Sequence, residues 1–272
     1  MTFNLLLIAG IVSLSLACRT FKNRIIRKFG VIGVLVASYL IGWLLSGYWE
    51  LGILIVAGWF FLPWLEILTR VRKLRLPIER AVRPQAPPPH QKFPYLAELT
   101  TEMELLNFEH VLDAGWTFEG HRHFFRIFYN NQQRCDATIS YVEQDQLAFY
   151  YLSFCSRCLD GRVFISWNYP FSYGLKLPPD YIIHRITGMI SAESLYAAHK
   201  QLLAGHSIGT ELLREQTDES LPKNIQQEMQ DLVTLNLKNG LLQRDGESLF
   251  RYSRHGMFFL WLEFLRDMVK FS

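Results

Sequence analysis

Residues 124–167 read FFRIFYNNQQRCDATISYVEQDQLAFYYLSFCSRCLDGRVFISW, and the alternation in this stretch decides the architecture of the larger part of the chain. Four runs rich in β-branched and aromatic residues stand out: Phe124–Tyr129, Cys135–Val142, Leu147–Phe154 and Arg162–Trp167. In the second run Cys135, Ala137, Ile139 and Tyr141 share one face, and Asp136, Thr138 and Ser140 the other, the period of two that a pleated strand imposes. The breaks are short and polar: Asn130-Asn131-Gln132, Gln144-Asp145-Gln146 and Leu159-Asp160-Gly161, the last holding the Asp-Gly pair that suits a tight hairpin. Links this short join only antiparallel neighbours, because a parallel crossover consumes a dozen residues or more. The stretch therefore predicts a four-stranded antiparallel meander.

Helical patterns flank it. Leu96, Leu99, Met103 and Leu106 recur at helical spacing among Glu98, Glu102 and Glu104, and Asn107–Gly115 reads as a connector. Beyond Pro178-Pro179, Ser191 caps a helix running to about Ala204. A second helix starts at Pro222 and runs to Lys238-Asn239, with Gly240 where a left-handed residue belongs. Leu241–Gln243 and Leu249–Tyr252 flank Asp245-Gly246 as a small hairpin, and Gly256–Phe271 forms an aromatic-rich helix. Its face of Phe258, Trp261, Leu262 and Leu265 is expected to pack on the sheet, with the membrane surface as the other resting place. The order of elements in residues 191–256 outlines a winged helix. That segment holds 7 Lys/Arg against 9 Asp/Glu, and the would-be recognition helix carries Glu228 and Asp231, so the charge argues against nucleic acid as a partner.

The N-terminal third is of another kind. Residues 1–93 hold 12 Lys/Arg against 3 Asp/Glu, whereas the remainder holds 16 against 22. Between Phe29 and Thr69 the only charges are Glu50 and Glu66. The 38 residues of Val31–Leu68 are about twice the length one helix needs to cross a ~30 Å hydrocarbon core, and Ser46-Gly47-Tyr48-Trp49-Glu50 interrupts them with helix breakers. They predict a helical hairpin, Val31–Gly47 and Leu51–Leu68, with Trp43, Trp49, Trp59 and Trp64 near its ends. Phe3–Ala17 is a shorter apolar run, read as a further span. Its approach to Cys18 has only a faint likeness to a lipoprotein cleavage box, and it lacks the basic start of a secretory signal.

Arg19, Lys22, Arg24, Arg27 and Lys28 lie between the first run and the hairpin, and Arg70, Arg72, Lys73 and Arg75 follow it. Two crossings separate the clusters, so both face the cytoplasm if the positive-inside rule holds. That layout puts the N-terminus outside and the C-terminal part inside, in an arrangement that fits a bacterial inner membrane. The fold expected is thus an N-terminal α-helical anchor of about three transmembrane helices (residues 1–76), then a Pro-rich basic linker (77–93) acting as a spacer. A cytoplasmic α+β domain (94–272) follows, its meander sheet accompanied by C-terminal helices.

Few residues point to chemistry. Cys155 and Cys158 in a Cys-x-x-Cys, with His121 and His123, make a zinc tetrahedron on paper, although a single Cys-x-x-Cys lacks the doubled spacing of zinc modules. His184, His199, His206 and Asp160 are scattered acid/base candidates. Signature motifs for hydrolases, phosphate loops, zinc proteases and dinucleotide binding do not occur in the sequence. The run from Phe149 to Tyr173 carries an aromatic surplus, from which Tyr150, Phe154, Trp167 and Tyr169 are the candidates for meeting a partner. Cysteines facing a reducing compartment predict no disulfide. The function expected is that of a membrane-anchored, non-enzymatic protein, held in the lipid bilayer and resident without a cofactor. Its α+β domain would bind a protein or a small apolar or peptide partner. The alternative is a membrane-tethered enzyme or zinc-dependent domain using the Cys/His set.

Overall fold

The computed structural model describes residues 2–20, 24–144, 147–171, 174–186 and 191–271, and it divides into two units. The first comprises residues 1–74, 172–174 and 252–272; the second comprises 75–171 and 175–251.

The first unit is helical: α1 (Thr2–Thr20), α2 (Arg24–Ser46), α3 (Trp49–Thr69) and, from the far end of the chain, α7 (Arg254–Phe271). Among the described residues two helical stretches, Phe29–Ser46 and Trp49–Lys73, are long and apolar enough to cross a membrane, each with mean hydropathy 2.0; the apolar part of α1, Ile8–Cys18, is shorter. The hairpin turns at Gly47, whose φ of 78° demands glycine, and Ser46 Oγ accepts from the N–H of Tyr48 at 3.1 Å. Small residues let the helices approach closely: a Cβ on Gly42 would lie 2.8 Å from the Gly52 Cα, and one on Gly52 would lie 2.7 Å from the Tyr39 carbonyl. Trp59 Nε1 donates to Ser38 Oγ at 3.0 Å, so one polar group of each helix satisfies the other.

α7 meets α3 through Trp261, whose indole N–H donates to the Phe60 carbonyl at 2.8 Å and whose ring lies against Phe61 and Trp64. The expectation that this helix would pack on the sheet gives way to that contact, because its aromatic face finds equally aromatic partners on α3. Of the basic residues read as topology determinants, Lys22 lies outside the described residues. Arg19, Arg24, Arg27 and Lys28 fall in α1 and α2, and Arg72 and Lys73 in a 3-10 turn after α3. Arg70 pairs with Glu66 at 3.3 Å. Arg75, the first residue of the second unit, is drawn into an ion pair with Asp245.

The second unit is α+β. Its main sheet has the order β2 (Arg83–Pro84), β3 (Glu109–Phe118), β4 (His121–Asn130), β5 (Cys135–Gln144), β6 (Leu147–Arg157), β7 (Val163–Trp167) and β8 (Tyr181–Arg185). All neighbours are antiparallel except β7 and β8, which run parallel and are joined by residues 168–180, a connection long enough to return. A small second sheet has the order β1 (Leu76–Pro77), β10 (Leu249–Tyr252), β9 (Leu242–Asp245).

Two expectations are corrected here. The segment taken as a connector, Asn107–Gly115, mostly belongs to β3: Asn107 (φ 62°) ends α4 (Leu96–Leu105), and a bulge between His110 and Leu112 breaks the alternation that would have revealed the strand. The Pro-rich stretch is not a free spacer either. Leu76 and Pro77 pair with β10, Arg83 and Pro84 pair with β3 as an edge strand that tolerates proline, and Phe93 is 2% exposed in the core.

The sheet is covered on both sides. One face carries Phe124, Phe128, Ala137, Ile139, Leu152 and Phe154, packed under α4 and α5 (Ala192–Gly205) with Phe108 of β3's approach. The other carries Ala114, Phe125, Ile127 and Tyr129, packed under α6 (Ser220–Lys238) through Leu221, Ile225 and Met229. With α5 and α6 on opposite faces of the sheet, residues 191–256 do not form a winged-helix unit.

Candidate functional site

The site grows from the polar face of β5. Asp136, Thr138 and Ser140 alternate with apolar residues, a pattern that ordinarily turns the polar side to water, yet they are 3%, 7% and 1% exposed. Their neighbours explain why. Register places Ser140 between Phe125 and Tyr151, Thr138 between Ile127 and Ser153, and Asp136 between Tyr129 and Cys155. A polar stripe thus runs between apolar ones, and α6 closes over it with Ile225, Glu228, Met229 and Leu232, the spacing of one helical face. Between helix and sheet lies a cavity of about 170 Å³, floored by this stripe and walled by Phe125, Tyr151, Ile165, Trp167, Tyr181 and Ile183.

Burying polar groups is costly unless they find partners, and these do. Thr138 and Ser153 share a hydrogen bond of 2.7 Å. Arg157, pointing to the same face as Cys155, reaches Asp136 with one Nη and Glu228 with both Nε (2.7 Å) and the other Nη (2.6 Å). Burial pushes the Asp136 and Glu228 carboxyls above their ordinary range, against the pull of Arg157, and the two carboxylates hold the guanidinium firmly charged. His123, packed against Phe125 and beside Trp116 and Tyr151, is lowered to about 3 by burial and secondarily by Arg80, which keeps it neutral at pH 7. The Tyr151 phenol is raised by burial and stands 3.4 Å from His123 Nε2, a long contact.

The four residues proposed for zinc do not assemble. His123 stands in the register row of Val142 and Phe149, six positions along β6 from Cys155, roughly 20 Å at ~3.3 Å per residue. His121 is two residues further from Cys155 on the same strand as His123. Cys158, three positions beyond Cys155, falls on the opposite side of the sheet with Phe164, Ile208 and Leu213. Among the described residues no three His, Cys, Asp or Glu side chains could hold a metal ion together. Burial raises the Cys155 and Cys158 thiols, the reverse of an activated nucleophile, and both cysteines are free.

The aromatic candidates part in the same way. Phe154 is wholly buried against Phe108 and Tyr196, and the half-buried Tyr150 meets Phe93 and Tyr95 in tilted ring contacts, so these two lie on the α4 and α5 side of the sheet. Trp167 walls the cavity, and Tyr169 sits beside it, 5.1 Å from the Tyr151 ring and 5.9 Å from Phe171. Tyr173 lies outside the described residues.

Of the scattered acid/base residues, His184 and His206 are exposed and Asp160 pairs with Arg162. His199 of α5 lies between Ser156 (Nε2, 3.0 Å) and Ser166 (Nδ1, 3.1 Å). A serine–histidine pair invites a nucleophilic reading, but all three residues are 0% exposed on the filled face of the sheet. Here the imidazole bridges two strands, and burial lowers it to about 4. Comparison with known proteins found no matching family model, no matching curated protein and no matching solved structure.

Proposed function

We propose that this protein is a membrane-anchored, non-enzymatic binding protein whose α+β domain takes a small, largely apolar ligand into the cavity between the sheet and α6. The observation that carries this is the cavity itself: hydroxyls, Asp136 and Arg157 on its floor, aromatic and aliphatic walls, and a single amphipathic helix as its roof, from which Glu228 pairs with Arg157. Such a mixture, mostly apolar with a few fixed polar groups, is the composition of small-molecule sites. A face needed only for stability would be cheaper to fill with hydrocarbon, as most of the other face of the same sheet is.

In this reading α2 and α3 span the bilayer and α1 adds a third, shorter crossing. The N-terminus lies outside, and the domain sits in the cytoplasm at an inner membrane of bacterial type, where the basic clusters obey the positive-inside rule. Tyr169 and Phe171, beside the aromatic wall, are where a protein or peptide partner would first touch the occupied domain. The test is native mass spectrometry of the full chain in detergent, wild type against Met229→Trp, which fills the cavity from its roof. A bound small molecule carried by the wild type and lost in the variant is expected; equal ligand in both would place the binding elsewhere. Labelling of single cysteines introduced at residue 48 and in the α+β domain, with an impermeant reagent on intact cells, checks the topology: only the former should react.

A further inference from the structure

The charge and the walls of the cavity narrow the ligand further, an inference that rests on the cavity being a binding site. Two carboxylates, Asp136 and Glu228, meet one guanidinium, and among the described residues no other arginine or lysine lines the space. Both bonds from Arg157 to Glu228 fall on Oε1. The remaining lining groups bring no positive charge, and the cation that bears on them from outside the lining is Arg80, behind His123. β4 supplies the neutral His123, β6 supplies Tyr151 and the Cys155 thiol, β8 supplies Tyr181, and Asp231 of α6 adds negative charge that bears on Glu228. Further along the floor, Phe125 and Tyr151 in the register row of Ser140 and Trp167 in that of Thr138 supply an aromatic wall for an apolar body.

We propose that the cavity binds a small organic ammonium ion, its charged nitrogen at Glu228 and its apolar body against Phe125, Tyr151 and Trp167. An apolar cavity of about 150 Å³ accommodates benzene, so one of about 170 Å³ suits a single ring or a short branched alkyl group bearing the ammonium. An anion of the same size would meet two carboxylates, and a neutral isostere would leave the surplus charge uncompensated.

Isothermal titration of the full chain in detergent with benzylamine, benzyl alcohol and benzoate at pH 7 tests this. Benzylamine is expected to bind at least tenfold more tightly than benzyl alcohol, with benzoate weakest, and Glu228→Gln should cost the amine about tenfold more than it costs the alcohol. Equal affinity for amine and alcohol, or a preference for benzoate, overturns the ammonium assignment while leaving a ligand cavity in place. Failure of all three to bind, with the fold intact by circular dichroism, overturns the assignment and the cavity reading together. Should Glu228→Gln not fold, the ranking of the three probes on the wild type decides alone.

Discussion

One sheet presents two faces to two different fillings. Toward α4 and α5, Phe108, Phe124, Phe128 and Phe154 are at most 1% exposed, and edge-on rings interlock across the strands. Toward α6, the same strands put Asp136, Thr138, Ser140, Ser153 and Arg157 beneath a cavity. The pleat is common to both, so the difference lies in side-chain choice alone. Both faces bury polar groups, His199 with Ser156 and Ser166 on the first and the Arg157 triad with Thr138 and Ser153 on the second, but on the second they line a cavity.

Substitutions on each face should separate these roles. The largest effect is expected from Phe154→Ala, which removes a ring packed against Phe108 and Tyr196 and should destabilise the domain by about 3–5 kcal/mol in denaturant unfolding of the full chain. Arg157→Met strands Asp136 and Glu228 together in the interior and should cost about 3–4 kcal/mol. Replacing all three members with apolar residues of like volume should recover most of that loss; if the triple variant stays as unstable as the single one, the triad is a structural necessity and the contrast between the faces fails.

The third effect depends on pH. His199 takes up a proton near 6.5 when unfolded but only near 4 when folded, so the unfolded state binds the extra proton between those values. Stability therefore falls as the pH drops through that window, by on the order of 3 kcal/mol in full. The raised carboxyls of Asp136 and Glu228 act with the opposite sign, since the folded form keeps their protons to higher pH. The comparison is accordingly made between wild type and His199→Gln, and the variant should lose the share of the acid-side decline that His199 supplies while keeping that of His123, which burial lowers to about 3. The smallest effect is on the cavity floor. Thr138→Val leaves Ser153 without its partner and should cost about 1 kcal/mol, whereas Thr138→Val with Ser153→Ala should be close to neutral.

Much of this architecture is legible in the residues. Alternation and short polar links expose β4 to β7, and caps and glycines expose α5, α6 and the hairpin of β9 and β10. β3 is hidden because its bulge spoils the period, and β8 because its pairing with β7 depends on a long return that no local pattern records. The site is harder to read. Polar residues on one face of β5 look like a wet surface until the apolar stripe of β4 is laid beside them and α6 above them. Glu228 on the apolar face of α6 is the signal that could have been used, since a charge there asks for a buried partner; that partner, Arg157, lies 71 residues away. The pleat alone also argues against the zinc set, because Cys155 and Cys158, three positions apart along a strand, must point to opposite faces.

The pairing of Leu76 with Phe250 has a consequence for how the chain comes together. Trp261 and Phe60, joined by a hydrogen bond, stand 201 residues apart, a loop whose closure is entropically among the dearest the molecule has to make. Once β1 lies beside β10, the points where the chain enters and leaves the α+β domain are held as neighbours. The effective loop between α3 and α7 then shrinks to the few residues on either side of that junction. With that pairing in place, the contact between Trp261 and Phe60 closes at the entropic cost of a short loop.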